Sequence, residues 1–162
     1  MVKNSEPKMS KFFTTQEGLK VNIVEHTLDQ LKKWPHLKIY VGTDSQSYAR
    51  MTRYVTCICY RYGNRGAHFV YFKEEVKRDN DRTQFTRLYG EGLRTLEAAG
   101  VITDEIPVNI EAMEFDFADI VKTLSSKLVS SFKGYKNAKF KSGEMIATKA
   151  ADYVCRHPNE FK

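Results

Sequence analysis

Four carboxylates, Asp44, Glu91, Asp116 and Asp152, are spaced along the chain so that a fold could gather them. Asp44 follows the apolar, β-branched run Lys38 to Thr43, where an aspartate is unfavourable unless a cation or hydrogen-bond donors meet it. Asp44-Ser45 equally suits a turn in which the aspartate bonds its own backbone. Glu91 falls in the middle of a helical pattern, at the edge of its buried stripe on the Leu88 side. Arg87, four residues earlier, offers it the alternative of an exposed ion pair. Asp116 closes a second apolar run, Val108 to Phe117, although Asp116-Phe117-Ala118-Asp119 also reads as a helix cap. Glu114 shares the strand face of Asp116 and is the fallback ligand if the register differs by two, with Glu111 a further competitor. Asp152 flanks Ile146, Ala150 and Tyr153 in the last helix, where a solvated surface position is the other reading. Carboxylates gathered in this way repel one another and become stable by binding hard cations, Mg²⁺ or Mn²⁺, through oxygen. Two such ions would activate a water and stabilise the leaving oxygen in phosphodiester hydrolysis.

The charge distribution agrees with a phosphate-bearing partner. Net charge is +6 over 162 residues. From Thr95 to Val121 there is no Lys or Arg, while Glu97, Asp104, Glu105, Glu111, Glu114, Asp116 and Asp119 all fall there. From Lys122 to Lys141 the sign reverses, with no acid at all. Within that stretch Lys133, Lys136, Lys139 and Lys141 interleave with Tyr135 and Phe140, giving ammonium groups for phosphates and rings for stacking on bases. The competing reading is a strand edge guarded by lysines.

Other chemistries are poorly supported. His26, His36, His68 and His157 have no recognisable spacing with a nucleophile. Cys57, Cys59 and the distant Cys155 form neither a disulfide framework nor a zinc pattern, so buried reduced thiols are expected. No apolar run reaches the ~20 residues of a membrane span and the start lacks a secretory signal, so a cytoplasmic protein without membrane contact is expected.

The elements that must position the acids follow from hydrophobic periodicity. Residues 1–162 read as a single domain. Residues 1–18 form an N-terminal extension frayed at its start, and 19–34 a helix on Val21, Val24, Leu28, Leu31 and Trp34 that Pro35 closes. Strands follow over Lys38 to Thr43, Arg53 to Tyr62 and Ala67 to Glu75, with Gly63-Asn64-Arg65-Gly66 as a turn, giving an antiparallel meander. A capping box, Asp81-Arg82-Thr83-Gln84, opens a helix whose stripe is Phe85, Leu88, Tyr89, Gly92 and Leu96 and whose stop is Gly100. Val108 to Phe117 is a strand, followed by a helix on Ile120, Val121, Leu124, Leu128 and Phe132, a strand from Ala138 to Phe140, and a helix from about Gly143 to Arg156. The expected fold class is α/β, a mixed five-stranded sheet with helices on both faces and an extra N-terminal helix.

Four segments carry a family resemblance: Ile39-Tyr40-Val41-Gly42-Thr43-Asp44-Ser45-Gln46, Tyr89 to Glu97, Ser125-Ser126-Lys127-Leu128 and Ala147-Thr148-Lys149-Ala150-Ala151-Asp152. Together they resemble the bacterial YkuK family of ribonuclease-H-like proteins. The resemblance implies a ribonuclease H fold, which has the element order just read, with Asp44, Glu91, Asp116 and Asp152 at its four acidic positions.

Two functions are expected to compete. The first is a metal-dependent nuclease acting on RNA, DNA or a hybrid, with a two-metal site of Mg²⁺ or Mn²⁺ on the four acids. The second is a non-catalytic nucleic-acid-binding or scaffold protein on the same fold. No second glycine-rich phosphate loop accompanies Gly42-Thr43-Asp44-Ser45, and the chain is too short for the two lobes of a sugar-kinase or actin fold.

Overall fold

The computed structural model describes residues 9–78, 83–117, 122–140 and 145–161. Its elements run β1 (Phe12–Thr15), β2 (Lys20–Asn22), α1 (Ile23–Lys33), β3 (Lys38–Tyr48), β4 (Met51–Arg61), β5 (Ala67–Lys77), α2 (Gln84–Thr103), β6 (Ala112–Phe115), α3 (Lys122–Phe132), β7 (Ala138–Phe140) and α4 (Ala147–Arg156). One mixed sheet holds all seven strands in the order β2-β1-β5-β4-β3-β6-β7. The pairs β3–β6 and β6–β7 are parallel and the other pairs antiparallel.

The sheet is covered on both faces, and strand alternation shows it. On β4, Ile58 and Tyr60 enter the larger core with Ile23, Val24, Leu88, Ala98, Ile102, Leu128 and Phe132 of α1, α2 and α3. Val55, Cys57 and Cys59 point the other way, toward Ala147, Ala151, Val154 and Cys155 of α4. A strand buried on both faces loses the apolar–polar alternation of a half-exposed one, which is why Val55 to Tyr60 reads as a continuous apolar run.

Several expectations change. The sheet has seven strands rather than five, because residues expected to be extension and helix form a hairpin. Gly18, at φ +93°, takes the left-handed turn between β1 and β2 that a Cβ disfavours, and Phe13 is fully buried beneath it. The expected helix over 19–34 therefore begins only at Ile23, where the Asn22 side chain caps it by accepting from the Val24 and Glu25 amides.

The strand bearing Asp44 does not stop at Thr43 but runs to Tyr48, so Asp44-Ser45 is strand and not turn. The turn comes at Ala49 and Arg50, between Tyr48 and Met51. Helix α2 is capped by Thr83, whose side chain accepts from the Thr86 amide, rather than by Asp81, which lies outside the described residues with Arg82. It also passes through Gly100 to Thr103, Gly100 being a tolerated interior glycine with open space around it. The strand expected over Val108 to Phe117 is shorter, Ala112–Phe115. Of the residues expected to start the later helices, Ile120, Val121 and Gly143 lie outside the described residues.

Candidate functional site

Construction of the site begins with Gly42, Glu114 and the first turn of α4. Gly42 and Glu114 pair across the parallel β3–β6 ladder. A Cβ on Gly42 would come within 2.9 Å of both the Thr148 backbone nitrogen and its Cγ2, so only glycine lets α4 descend this far. Glu114, 1% exposed, meets the same turn. Its Oε2 accepts from the Ile146 amide at 2.9 Å, and its Oε1 accepts from the Thr148 amide at 2.9 Å and the Thr148 hydroxyl at 3.3 Å. The first turn of a helix has amides without intrahelical acceptors and a partial positive charge, and one buried carboxylate answers both. Ile146, at the cap position, has no oxygen to do so. Glu114, the fallback ligand, is thus committed to α4.

From this anchor the two elements advance in step. Asp152 is one helical turn beyond Thr148, about 6 Å along the axis, and Asp44 is two strand residues beyond Gly42, about 6.6 Å. The Asp152 carboxyl comes beside that of Asp44. Burial first, then the neighbouring Asp152 carboxyl, push the Asp44 carboxyl up to about 7 from its ordinary 3.8. Asp152 also accepts from Arg156 Nε at 2.9 Å.

Glu91 approaches from the opposite face of the sheet. Its side chain, 4% exposed, accepts from Ser45 Oγ at 2.5 Å and lies 3.6 Å from Arg87 Nη1, which also donates to Ser45 Oγ at 2.8 Å. Burial and then the Asp44 charge push its carboxyl well up, against the Ser45 bond and the Arg87 charge. The exposed Arg87–Glu91 pair anticipated as an alternative therefore exists as a partly buried one, with Glu91 buried and Arg87 half-buried. Next to Glu91, Gly92 allows Phe132 of α3 to pack where a Cβ would meet its ring at 2.2 Å.

Asp116 stands just past β6. Continuing the Gly42–Glu114 register by two residues sets it opposite Asp44 on the neighbouring strand. It is half-buried, and its charge reaches Glu91. Glu111, by contrast, is exposed before the strand begins. The structure thus brings Asp44, Glu91, Asp116 and Asp152 to one end of the parallel strands. They form a linked set and not a closed cage: among the described residues no three His, Cys, Asp or Glu side chains converge on one ion position. Asp44 has Asp152 beside it, and Glu91 is turned to Ser45.

A model of the ribonuclease H-like family matches residues 21–156. The chain belongs to the ribonuclease H-like family. It is the YkuK family that the segments around Asp44, Glu91 and Asp152 resemble. Comparison with curated proteins and with solved structures finds no match for the chain. Strand β1 precedes the residues matched to the ribonuclease H-like family, which accounts for part of the difference between five expected strands and seven.

The lysine-rich segment is placed differently from the carboxylates. Lys133, Tyr135 and Lys136 are exposed in the turn between α3 and β7, at the start of β7. The end that carries Asp44 and Asp116 lies at the other termini of the parallel strands, about four residues or ~13 Å along the sheet. Tyr135 and Lys136 instead border a cleft with Leu96, Ala99, Ile110 and Met113. Lys139 is on β7, an edge strand of the sheet, opposite Glu114 in register. Lys141 lies outside the described residues. The three cysteines are buried and free, and among the described residues no helix is long and apolar enough to cross a membrane.

Sequence reasoning missed Ser45 as a group holding Glu91 and Glu114 as the cap of α4, and offered Arg87 only as an exposed partner of Glu91. Arg87 was visible as the residue four before Glu91. Ser45 was not, because its role depends on β3 continuing past Asp44.

Proposed function

We propose that this protein is a metal-dependent nuclease hydrolysing phosphodiesters in RNA, DNA or their hybrid. The observation that carries this reading is the placement of Asp44, a half-buried carboxyl with Asp116 opposite it in the β3–β6 register, Asp152 beside it on α4 and Glu91 held by the adjacent Ser45. A fold that holds like charges together in a partly desolvated place is stabilised by a cation there. The donors fit Mg²⁺ or Mn²⁺, since all are hard carboxylate oxygens. Asp44, Glu91, Asp116 and Asp152 are the residues that would hold the metal. A divalent pair, when bound, supplies an activated water and charge stabilisation for the leaving oxygen. The chain's own part is to gather and orient: Ser45 and Arg87 fix Glu91 against β3, and the Glu114 cap fixes α4 and with it Asp152.

One observation favours the second reading, a non-catalytic nucleic-acid binder. Glu91 and Asp152 already have cationic partners, Arg87 and Arg156. The experiment that separates the readings incubates labelled single-stranded RNA, single-stranded DNA and RNA–DNA hybrid with protein and Mn²⁺. Wild type is expected to cut at least one, and Asp44→Asn to lose that activity by about 100-fold or more, the usual scale for a group that stabilises transition-state charge. A wild type that binds these substrates yet leaves all three intact establishes the binder instead.

A further inference from the structure

Strands β3 and β4 continue beyond the carboxylates as a ribbon. Asp44 pairs with Val55, and three more β3 residues pair between it and the Tyr48–Met51 closing pair. β5 follows the same ribbon, with Lys77 opposite Met51. Side chains alternate along a strand, so Gln46 and Tyr48 lie on the same face as Asp44. The cross-strand registers add Arg53 and Glu75 beside Gln46, and Met51 and Lys77 beside Tyr48. This face therefore runs without interruption from the candidate metal ligand to the ribbon tip.

The chemistry of the strip is that of a nucleic-acid platform. Tyr48 is 36% exposed, and the Arg53 guanidinium lies 4.8 Å from its ring centroid. Arg53 is held in turn by Glu75 through its Nε and Nη2, both at 3.1 Å, so ring and cation are fixed before any ligand arrives. Arg50 and Lys77 are exposed at the tip. Arg78 staples it, its amide donating to Arg50 O at 2.7 Å and its Nη1 to Ala49 O at 3.0 Å. Among the described residues, Arg50, Arg53, Lys77 and Arg78 against Glu75 give the tip an excess of positive charge next to the carboxylates. A two-residue step along the strand is about 6.6 Å, comparable with the reach of one nucleotide in an extended strand. An exposed ring among cations suits unpaired bases, whose faces are free to stack, better than a duplex.

We infer that the β3–β4 tip, with Tyr48 carried on Arg53 and flanked by Arg50 and Lys77, is the surface along which a single strand of nucleic acid runs to the carboxylates. The inference deepens the nuclease reading by assigning the route to its site, and rests on that reading for the direction of travel. The expected lysine patch at Lys133 and Lys136 lies at the other end of the parallel strands.

The test measures binding of a fluorescein-labelled oligo-uridine of about a dozen nucleotides, in EDTA so that cleavage plays no part. Wild type binds, and its affinity falls steeply between about 50 and 200 mM salt. Tyr48→Ala lowers affinity about tenfold and Tyr48→Phe restores it, since stacking needs the ring and not the hydroxyl. The Arg50→Ala/Lys77→Ala double variant weakens binding and flattens its salt dependence. Lys133→Ala/Lys136→Ala leaves both within about twofold. Circular dichroism and melting temperature establish that each variant is folded. If Tyr48→Ala is not, the Arg50→Ala/Lys77→Ala variant decides, because both side chains are exposed. Unchanged binding in the folded ribbon variants overturns the inference, as does loss confined to the Lys133/Lys136 variant, preference for duplex, or a wild type that binds no single strand. Binding of the expected kind without cleavage in Mn²⁺ defeats the nuclease reading and leaves the ribbon as the binding surface. Cleavage by ribbon variants that bind normally removes the ribbon alone.

Discussion

Burial and the neighbouring Asp152 carboxyl disfavour the charged form of Asp44, whose carboxyl is pushed up to about 7. Replacing Asp44 by Asn keeps the shape, supplies a permanent donor and removes one of the repelling charges. We expect Asp44→Asn to stabilise the metal-free protein by about 1 kcal/mol in urea denaturation at pH 7, in the range seen when a functional site is relieved of its conflict; a destabilised variant would mean that the pair is structural. Glu114 predicts the opposite behaviour. Truncating it leaves the Ile146 and Thr148 amides buried without acceptors and opens a void, so Glu114→Ala should lose about 3 kcal/mol by the same measurement. That the element order brings Asp44 and Asp116 to neighbouring strands was legible in the sequence. Which of Glu114 and Asp116 meets α4 was not, because strand alternation puts both on one face. It is decided by how far α4 can descend onto Gly42, a contact between residues remote in sequence.

At the scale of elements, the long and strongly patterned pieces were legible: α2, β4, β5 and β7 lie close to where periodicity and turn residues place them. The β1–β2 hairpin was not, since strands of three and four residues carry too few alternations to stand out from the helix that follows. The same limit misjudged the buried stripe of α1, where Ile23, Val24 and Thr27 are buried and Leu28 is 38% exposed. Thr27 faces inward because its hydroxyl bonds Tyr60 Oη at 2.7 Å. Beside that bond, α1 and β5 are joined by His26 and His68, whose Nε2 atoms are 2.9 Å apart. Tyr62 also bonds the His68 ring. Burial, then the neighbouring His26, lower the His68 pKa to about 4 from 6.5, and burial lowers that of His26 as well. A depressed histidine binds its proton more readily in the unfolded chain, so its contribution to stability is present above about 6.5 and is lost as pH falls toward 4. Stability should therefore drop on the order of 1 kcal/mol between pH 7 and 5, allowing for solvent screening of half-exposed rings. His68→Gln should flatten that slope, and an unchanged slope would move the titrating group elsewhere.

For the whole molecule, the acids come from four separate elements, β3, α2, the end of β6 and α4, so a cation that binds them ties together both faces of the sheet. An ion that binds only the folded state stabilises it by mass action, about 2.7 kcal/mol at a concentration 100 times its dissociation constant. Mn²⁺ should therefore raise the melting temperature of the wild type by several degrees and leave that of Asp44→Asn unmoved. An equal rise in both would place the ion outside this set. Legibility at this scale came from element order and from Gly42-Thr43-Asp44-Ser45. The ribbon beyond Asp44 escaped notice because aspartate followed by serine is also how a turn begins.

The Glu114 cap has a consequence for the order in which the protein is made. Asp44, Glu91 and Asp116 are all translated before α4 exists, and the sheet that carries them can pair in its absence. Until residues 146–148 emerge from the ribosome, Glu114 has no amides to accept from, and Val55, Cys57 and Cys59 have no helix over them. A chain stalled at that point exposes an apolar face with a carboxylate in its middle, the kind of surface that chaperones and proteases recognise. The segment that carries Asp152 is thus also the one that covers this second face, and a ribosome-bound chain lacking α4 leaves that face open.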